Sequence, residues 1–262
     1  MLHDSFRFCP SCGQNKHVHP VTFGHFLHDA THFFTHADKG IFPLLKNLAI
    51  RPGVVGREYL EGKRKKYMSP LNFLLIVLGL FVFTLTTFKT FQRTTDFNNV
   101  RASVRQIPDE ETRERRLAKV NRAERATQFI TKYSNIVNLF FATPLISLIF
   151  YLFYKSRRVR FFEHLAFNFY LSGFVLLIFI ILISPLIKLI DSTRFYLIAI
   201  GLFLLIELIY RAQAYYQFFN EKGRKPYLKA LLVSVLAILL WSIVSRTLIT
   251  LYINTGFYLD KG

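Results

Sequence analysis

The alternation of apolar and polar positions divides the chain into a mixed head and five long apolar runs. Within residues 22–37, Phe23, Phe26, Leu27, Ala30, Phe33, Phe34 and Ala37 recur at helical spacing. At about 100° per residue they cover an arc of roughly 120°. The opposite arc, roughly 100° wide by the same arithmetic, carries His25, His28, Asp29, His32 and His36. Thr22 stands where an N-cap is needed. Such a helix is expected to lie in a membrane interface or to pack beneath a helix bundle. A second helix over residues 40–50 repeats the pattern with Ile41, Leu44, Leu45 and Leu48, and Arg51-Pro52-Gly53 ends it. A short helix is expected over 54–62, followed by the basic run Lys63-Arg64-Lys65-Lys66.

The apolar runs cover 69–88, 136–154, 165–189, 195–210 and 228–252. Each approaches or exceeds what is needed to cross roughly 30 Å of hydrocarbon. The fourth is the shortest, and its length is compatible with a re-entrant segment as well as a span. Residues 89–133 hold no span: eleven Lys/Arg and six Asp/Glu lie there, and Pro108-Asp109-Glu110-Glu111 opens a charged helix expected to reach about Arg125. Acids at its start suit the helix dipole, and Glu111 stands four positions before Arg115. The fold class is therefore all-α: a polytopic membrane helix bundle of about five spans. An N-terminal knuckle (1–20), amphipathic interfacial helices with a basic run (21–68), a first span (69–88), a charged extracytoplasmic loop (89–133) and four further spans (134–262) follow in order.

Charge sets the orientation and the partner class. The 34 Lys+Arg outnumber 16 Asp+Glu, and most flank apolar runs. That placement fits lipid phosphates and topology signals and argues against nucleic acid. Lys155, Arg157, Arg158 and Arg160 follow span two; Arg211, Lys222, Arg224, Lys225 and Lys229 lie at or between spans four and five. With Lys63 to Lys66 they argue for a cytoplasmic N-terminus, although the 89–133 loop is itself basic. Each lysine or arginine near an anionic surface contributes about 1 kcal/mol, so Lys63, Arg64, Lys65 and Lys66 are the expected lipid-binding residues. The first seventy residues contain no isolated apolar core with a cleavage site, so the segment at Leu71 is expected to act as an uncleaved insertion signal.

Candidate chemistry sits in the head. Cys9-Pro10-Ser11-Cys12-Gly13 is a C-x-x-C-G knuckle that can hold zinc through two thiolates. His17 and His19 follow at once, giving C-x2-C-x4-H-x-H, a cramped spacing that favours one His or a partner chain as the complement; a vestigial knuckle or a reduced Cys pair in a flexible tail is the bland alternative. His28, His32 and His36 stack on one helical face with His25 and Asp29 beside them. Three readings of that face stand: a polar surface for headgroups, a second metal site built on His28, His32 and Asp29, or a face that charges near pH 6.5. Of ionisable groups inside spans, Glu207 and Arg246 are expected, too far apart in depth to pair, with Arg246 snorkelling outward or meeting Asp191. Pro144 and Pro185 are positioned to kink their spans. No nucleophile elbow, P-loop or Gly-rich dinucleotide turn is present.

Several linked motifs carry a family resemblance. Cys9-Pro10-Ser11-Cys12-Gly13-Gln14 is followed by Phe26-Leu27-His28-Asp29 and Asp38-Lys39-Gly40. Arg51-Pro52-Gly53, Arg57-Glu58-Tyr59, Gly62-Lys63-Arg64 and Pro70-Leu71-Asn72-Phe73-Leu74 come next, and Glu163-His164-Leu165 opens the third span. Together they resemble the uncharacterised bacterial membrane family catalogued as domain of unknown function 3667. That resemblance implies the same architecture and an inner (plasma) membrane location, and it brings no activity with it. Family members often carry a second C-x-x-C upstream, making a zinc ribbon. The expectation is a non-enzymatic binding or assembly protein with a metal- or lipid-binding head, its partners being anionic lipids and an unidentified protein or a second copy. A small transporter, or a metal-dependent membrane enzyme using the His25/His28/His32/His36 face, are the alternatives.

Overall fold

A computed structural model describes residues 40–88, 96–190 and 192–256, and all regular structure among them is helical. The knuckle Cys9/Cys12, His17, His19 and the face of His25, His28, Asp29, His32 and His36 lie outside the described residues, as does Asp191. Among the described residues, five helical segments are long and apolar enough to cross a membrane: Arg64–Thr87, Lys132–Phe153, Phe161–Leu189, Arg194–Phe218 and Arg224–Thr255.

Helix α1 (Ile41–Ile50) buries Leu44 and Leu48 completely. It stops at Arg51, whose backbone leaves the helical region (φ −144°, ψ 62°) because Pro52 disfavours α geometry in the residue before it. Pro52 then occupies the first turn of α2 (Pro52–Leu60), where its missing N–H costs nothing. The expected start at residue 54 is thus two positions late. A single 3-10 turn (Arg64–Lys66) leads into α3 (Pro70–Phe88).

The charged loop holds more structure than its polarity suggested. Helix α4 (Phe97–Arg105) is capped by Asp96, which accepts from the N–H groups of Asn98 and Asn99. Helix α5 (Glu110–Val137) is capped by Asp109, whose carboxyl is held below its usual range by Thr112. The Glu111–Arg115 pair forms as the spacing anticipated. However, α5 does not stop near Arg125. It continues to Val137, bending at Tyr133, and runs on into the second span.

That span and the third each contain a π-helical turn immediately before a proline. Asn138–Ala142 precedes α6 (Thr143–Phe153) and its Pro144; Phe179–Ile183 joins α7 (Phe161–Ile178) to α8 (Ser184–Leu189) and its Pro185. A proline ring clashes with the carbonyl four residues back and gives no N–H to it, so widening one turn relieves the clash. Helices α9 (Thr193–Phe218) and α10 (Arg224–Thr255) are continuous. The fourth run therefore neither ends at Tyr210 nor turns back. With 26 residues it is about 39 Å long at 1.5 Å per residue.

Helix α7 is the centre of the bundle, shared by both apolar clusters. One cluster joins it to α1, α2, α3 and α9; the other to α6, α9 and α10. Gly173 of α7 seats the Phe73 ring of α3, which lies 2.7 Å from where a Cβ would stand. At one end of the bundle, α2 lies beside the last turn of α9, where Arg57 donates to the Gln217 carbonyl at 3.4 Å, and the 154–160 and 219–223 turns are joined by the Arg157–Glu221 pair. At the other end, the α4–α5 hairpin, fastened by Arg101 to Glu124 and Asn121, rests on the last turns of α10, where Arg122 donates to the Ile253 carbonyl at 3.3 Å.

Candidate functional site

The described part of the head, residues 40–68, is folded onto the bundle through backbone contacts. At Gly53 a Cβ would come within 2.3 Å of the Ala214 carbonyl oxygen and of the Phe218 nitrogen. At Gly56, one turn on, it would come within 2.4 Å of the Phe167 ring. Only glycine lets α2 lie this close to α7 and α9. Side chains then reach across: the Gly53 N–H donates to Gln217 at 3.2 Å, and Tyr210 donates to the Leu48 carbonyl at 3.0 Å. Tyr170 donates to the Met68 carbonyl, and Tyr59 meets the Tyr170 ring edge-on at 5.6 Å. Gly40 closes the unit, since a Cβ there would sit 2.7 Å from the Met68 nitrogen.

Glu58 orders the basic run. It accepts from Lys66 at 2.7 Å, from the Tyr67 hydroxyl at 2.6 Å and from Lys63 at 3.3 Å. Burial by itself would raise its carboxyl, but the hydrogen bonds from Lys66, Tyr67 and Lys63 prevail and hold it at about 2. Of the four expected lipid-binding cations, Lys63 and Lys66 are thus drawn to Glu58 while still exposed. Arg64 lies over the Tyr59 ring at 5.6 Å, and Lys65 faces outward.

Beneath this unit lies a polar seam inside the bundle. Arg211 of α9 is 2% exposed and bonded on every side. Its Nε donates to Glu207 at 3.0 Å, Nη1 to Asn168 at 2.9 Å and Nη2 to Ser172 at 3.0 Å. Asn168 donates in turn to the Tyr215 hydroxyl at 2.8 Å, which lies 3.2 Å from His164 Nδ1. The Tyr215 ring stacks on Phe150 (3.7 Å between centroids) and lies nearly parallel to His164. Among the described residues, His164 Nε2 and the Tyr154 hydroxyl are buried and find no hydrogen-bond partner. Glu163 reaches back to the Arg160 N–H at 2.8 Å and so caps α7, which fixes where His164 enters the bundle.

The sequence placed Arg211 at the end of span four or just beyond it, because the fourth run was ended at Tyr210; the structure puts it inside. Arg246 is exposed, and Glu207 pairs with Arg211 rather than standing alone. A signal for the seam was available. His164, Asn168 and Ser172 recur every four residues, as do Glu207, Arg211 and Tyr215, so each triplet draws a polar stripe along an otherwise apolar helix. Among the described residues no three His, Cys, Asp or Glu side chains gather as a metal site.

No curated protein and no solved structure matches the chain. Residues 38–82, which contain the docked unit, its glycines, the Glu58 cluster and the entry of α3, match the sequence model of a family described as a protein of unknown function, DUF3667. The chain therefore carries a DUF3667 domain, and what that matched segment does here is to close one end of the membrane bundle.

Proposed function

We propose that the protein is a non-enzymatic, multi-pass membrane binding protein. Its bundle holds residues 40–68 as a fixed base, and that base carries the Cys/His stretch ahead of it at the cytoplasmic face of the inner (plasma) membrane. The observation that supports this most is the backbone-to-backbone seating of α2 on α9 at Gly53, together with the closure of Gly40 on Met68. A segment anchored in this way delivers the preceding residues to one place. In this reading Cys9 and Cys12, with His17 or His19, hold zinc; His28 and His32, with Asp29, form a second site; Lys63, Arg64, Lys65 and Lys66 meet anionic headgroups. The assembled head recruits a partner protein or a second copy. Elemental analysis of the purified full-length protein tests the metal part. Zinc that is present in the wild type and lost in Cys9→Ser/Cys12→Ser supports it; wild type that stays zinc-free in zinc-replete medium overturns it.

One observation favours a second reading. Ionisable groups inside spans often mark ion or substrate paths, and Glu207 and Arg211 are such a pair. Against transport, Arg211 spends Nε, Nη1 and Nη2 on protein acceptors. Proteoliposomes that pass ions, and stop doing so with Glu207→Gln, would put transport in place of binding.

A further inference from the structure

At the end of the bundle that carries the base, the outer side of α10 forms an open groove with α6. Phe153, Leu228, Leu232 and Leu236 line it, and Lys225 and Lys229 stand at its mouth. From Lys225 to Leu236 the groove follows one side of the helix for about 16 Å at 1.5 Å per residue. That is about half of the roughly 30 Å hydrocarbon thickness, the depth of one leaflet. The Lys229 ammonium is positioned, 4.4 Å above the Tyr154 ring.

The charge at the mouth is uncompensated along the helix. Gly223 gives α10 no side-chain cap, and the first turn contains Arg224 and Lys225 with no acid. Cations at a helix N-terminus oppose the dipole, whereas an anion there is favoured by both. Nearby Glu221 is paired with Arg157. A linear apolar trough of leaflet depth, with two lysines at its headgroup end, matches one molecule that is apolar below and anionic above.

We infer that this groove is a specific site for an anionic glycerophospholipid, one acyl chain lying along Leu228, Leu232 and Leu236 and the phosphate between Lys225 and Lys229. The inference rests on the lipid-facing part of the function proposed above and gives it a second, separate location. Native mass spectrometry of the full-length protein from detergent, loaded with phosphatidylglycerol or with phosphatidylcholine of the same chains, tests it. Wild type should retain one phosphatidylglycerol in preference to phosphatidylcholine. Lys225→Gln/Lys229→Gln should cut that preference by about fivefold per lysine, roughly thirty-fold together. Leu232→Trp, which fills the trough, should lower retention of both lipids. Equal retention of the two lipids by wild type overturns the site. If the preference survives Lys225→Gln/Lys229→Gln but falls when Lys63 to Lys66 are all changed to Gln, the groove is overturned while lipid recognition by the base stands.

Discussion

Replacing Arg211 by methionine keeps an unbranched apolar stem, ends it about where Nε stands, and removes the charge and all the donors. Glu207, Asn168 Oδ1 and Ser172 Oγ are then left facing one another. If hydrogen bonds alone were at stake, three contacts at about 0.6 kcal/mol each, the average inside membrane bundles, would sum to about 2 kcal/mol. Stranding one member of a buried ion pair instead costs about 3–5 kcal/mol. Glu207 keeps 15% of its side chain exposed, which places the expected loss near the lower end, about 3 kcal/mol. The measurement is reversible unfolding in mixed micelles with increasing SDS, followed by circular dichroism. Arg211→Met/Glu207→Met should recover most of the loss, because a buried pair exchanged for apolar groups is often neutral. A single-variant loss below about 1 kcal/mol, or a double variant no better than the single, would refute the view that Arg211, charge-balanced by Glu207 on its own helix, staples α9 to Asn168 and Ser172 of α7.

Three further outcomes follow from the geometry. Gly53→Ala should destabilise the base by about 1–3 kcal/mol through overpacking, read as faster hydrogen exchange across residues 41–60 with the spans unaffected; unchanged exchange would mean that α2 does not sit on α9. Because the Glu58 carboxyl is depressed to about 2, its stabilisation is fully present above its ordinary value near 4.5 and fades as pH falls towards 2. The stability gap between wild type and Glu58→Gln should therefore narrow over that window, and a gap that widened on acidification would reverse the sign. In a Cys9→Ser/Cys12→Ser background, a thiol placed at the exposed Ser103 should react with an impermeant reagent from outside the cell and one at Ser156 should not; the opposite pattern inverts the orientation.

The number of long apolar spans, their helical type and their approximate limits were legible because apolar length and helical period carry them directly. Elements defined by polarity contrast alone were harder. Arg211 looked like the end of a span since a cation usually marks the interface, yet here Glu207, Asn168 and Ser172 solvate it inside. The helix at Phe97–Arg105 was missed because its Asp96 cap and short apolar face are hidden in a stretch that reads as charged loop. Pro144 and Pro185 were recognised as perturbations, but the π-helical form that absorbs them depends on neighbouring packing. The glycines at 53 and 56 gave no hint of their partners, since a close approach is a property of two segments far apart in sequence.

That separation has a consequence in time. Gly53 and Leu48 find their bonding partners 164 and 162 positions later, on α9. At about 5–20 residues per second of synthesis, the interval between making the two halves of this contact is roughly 10–30 s. Throughout it Leu44, Leu48 and Val55, fully covered in the finished protein, wait for a surface that has not yet left the ribosome. An amphipathic pair of helices can spend that interval lying apolar side down on lipid. Used in this way, the membrane surface would be the holding station for the base until α9 arrives.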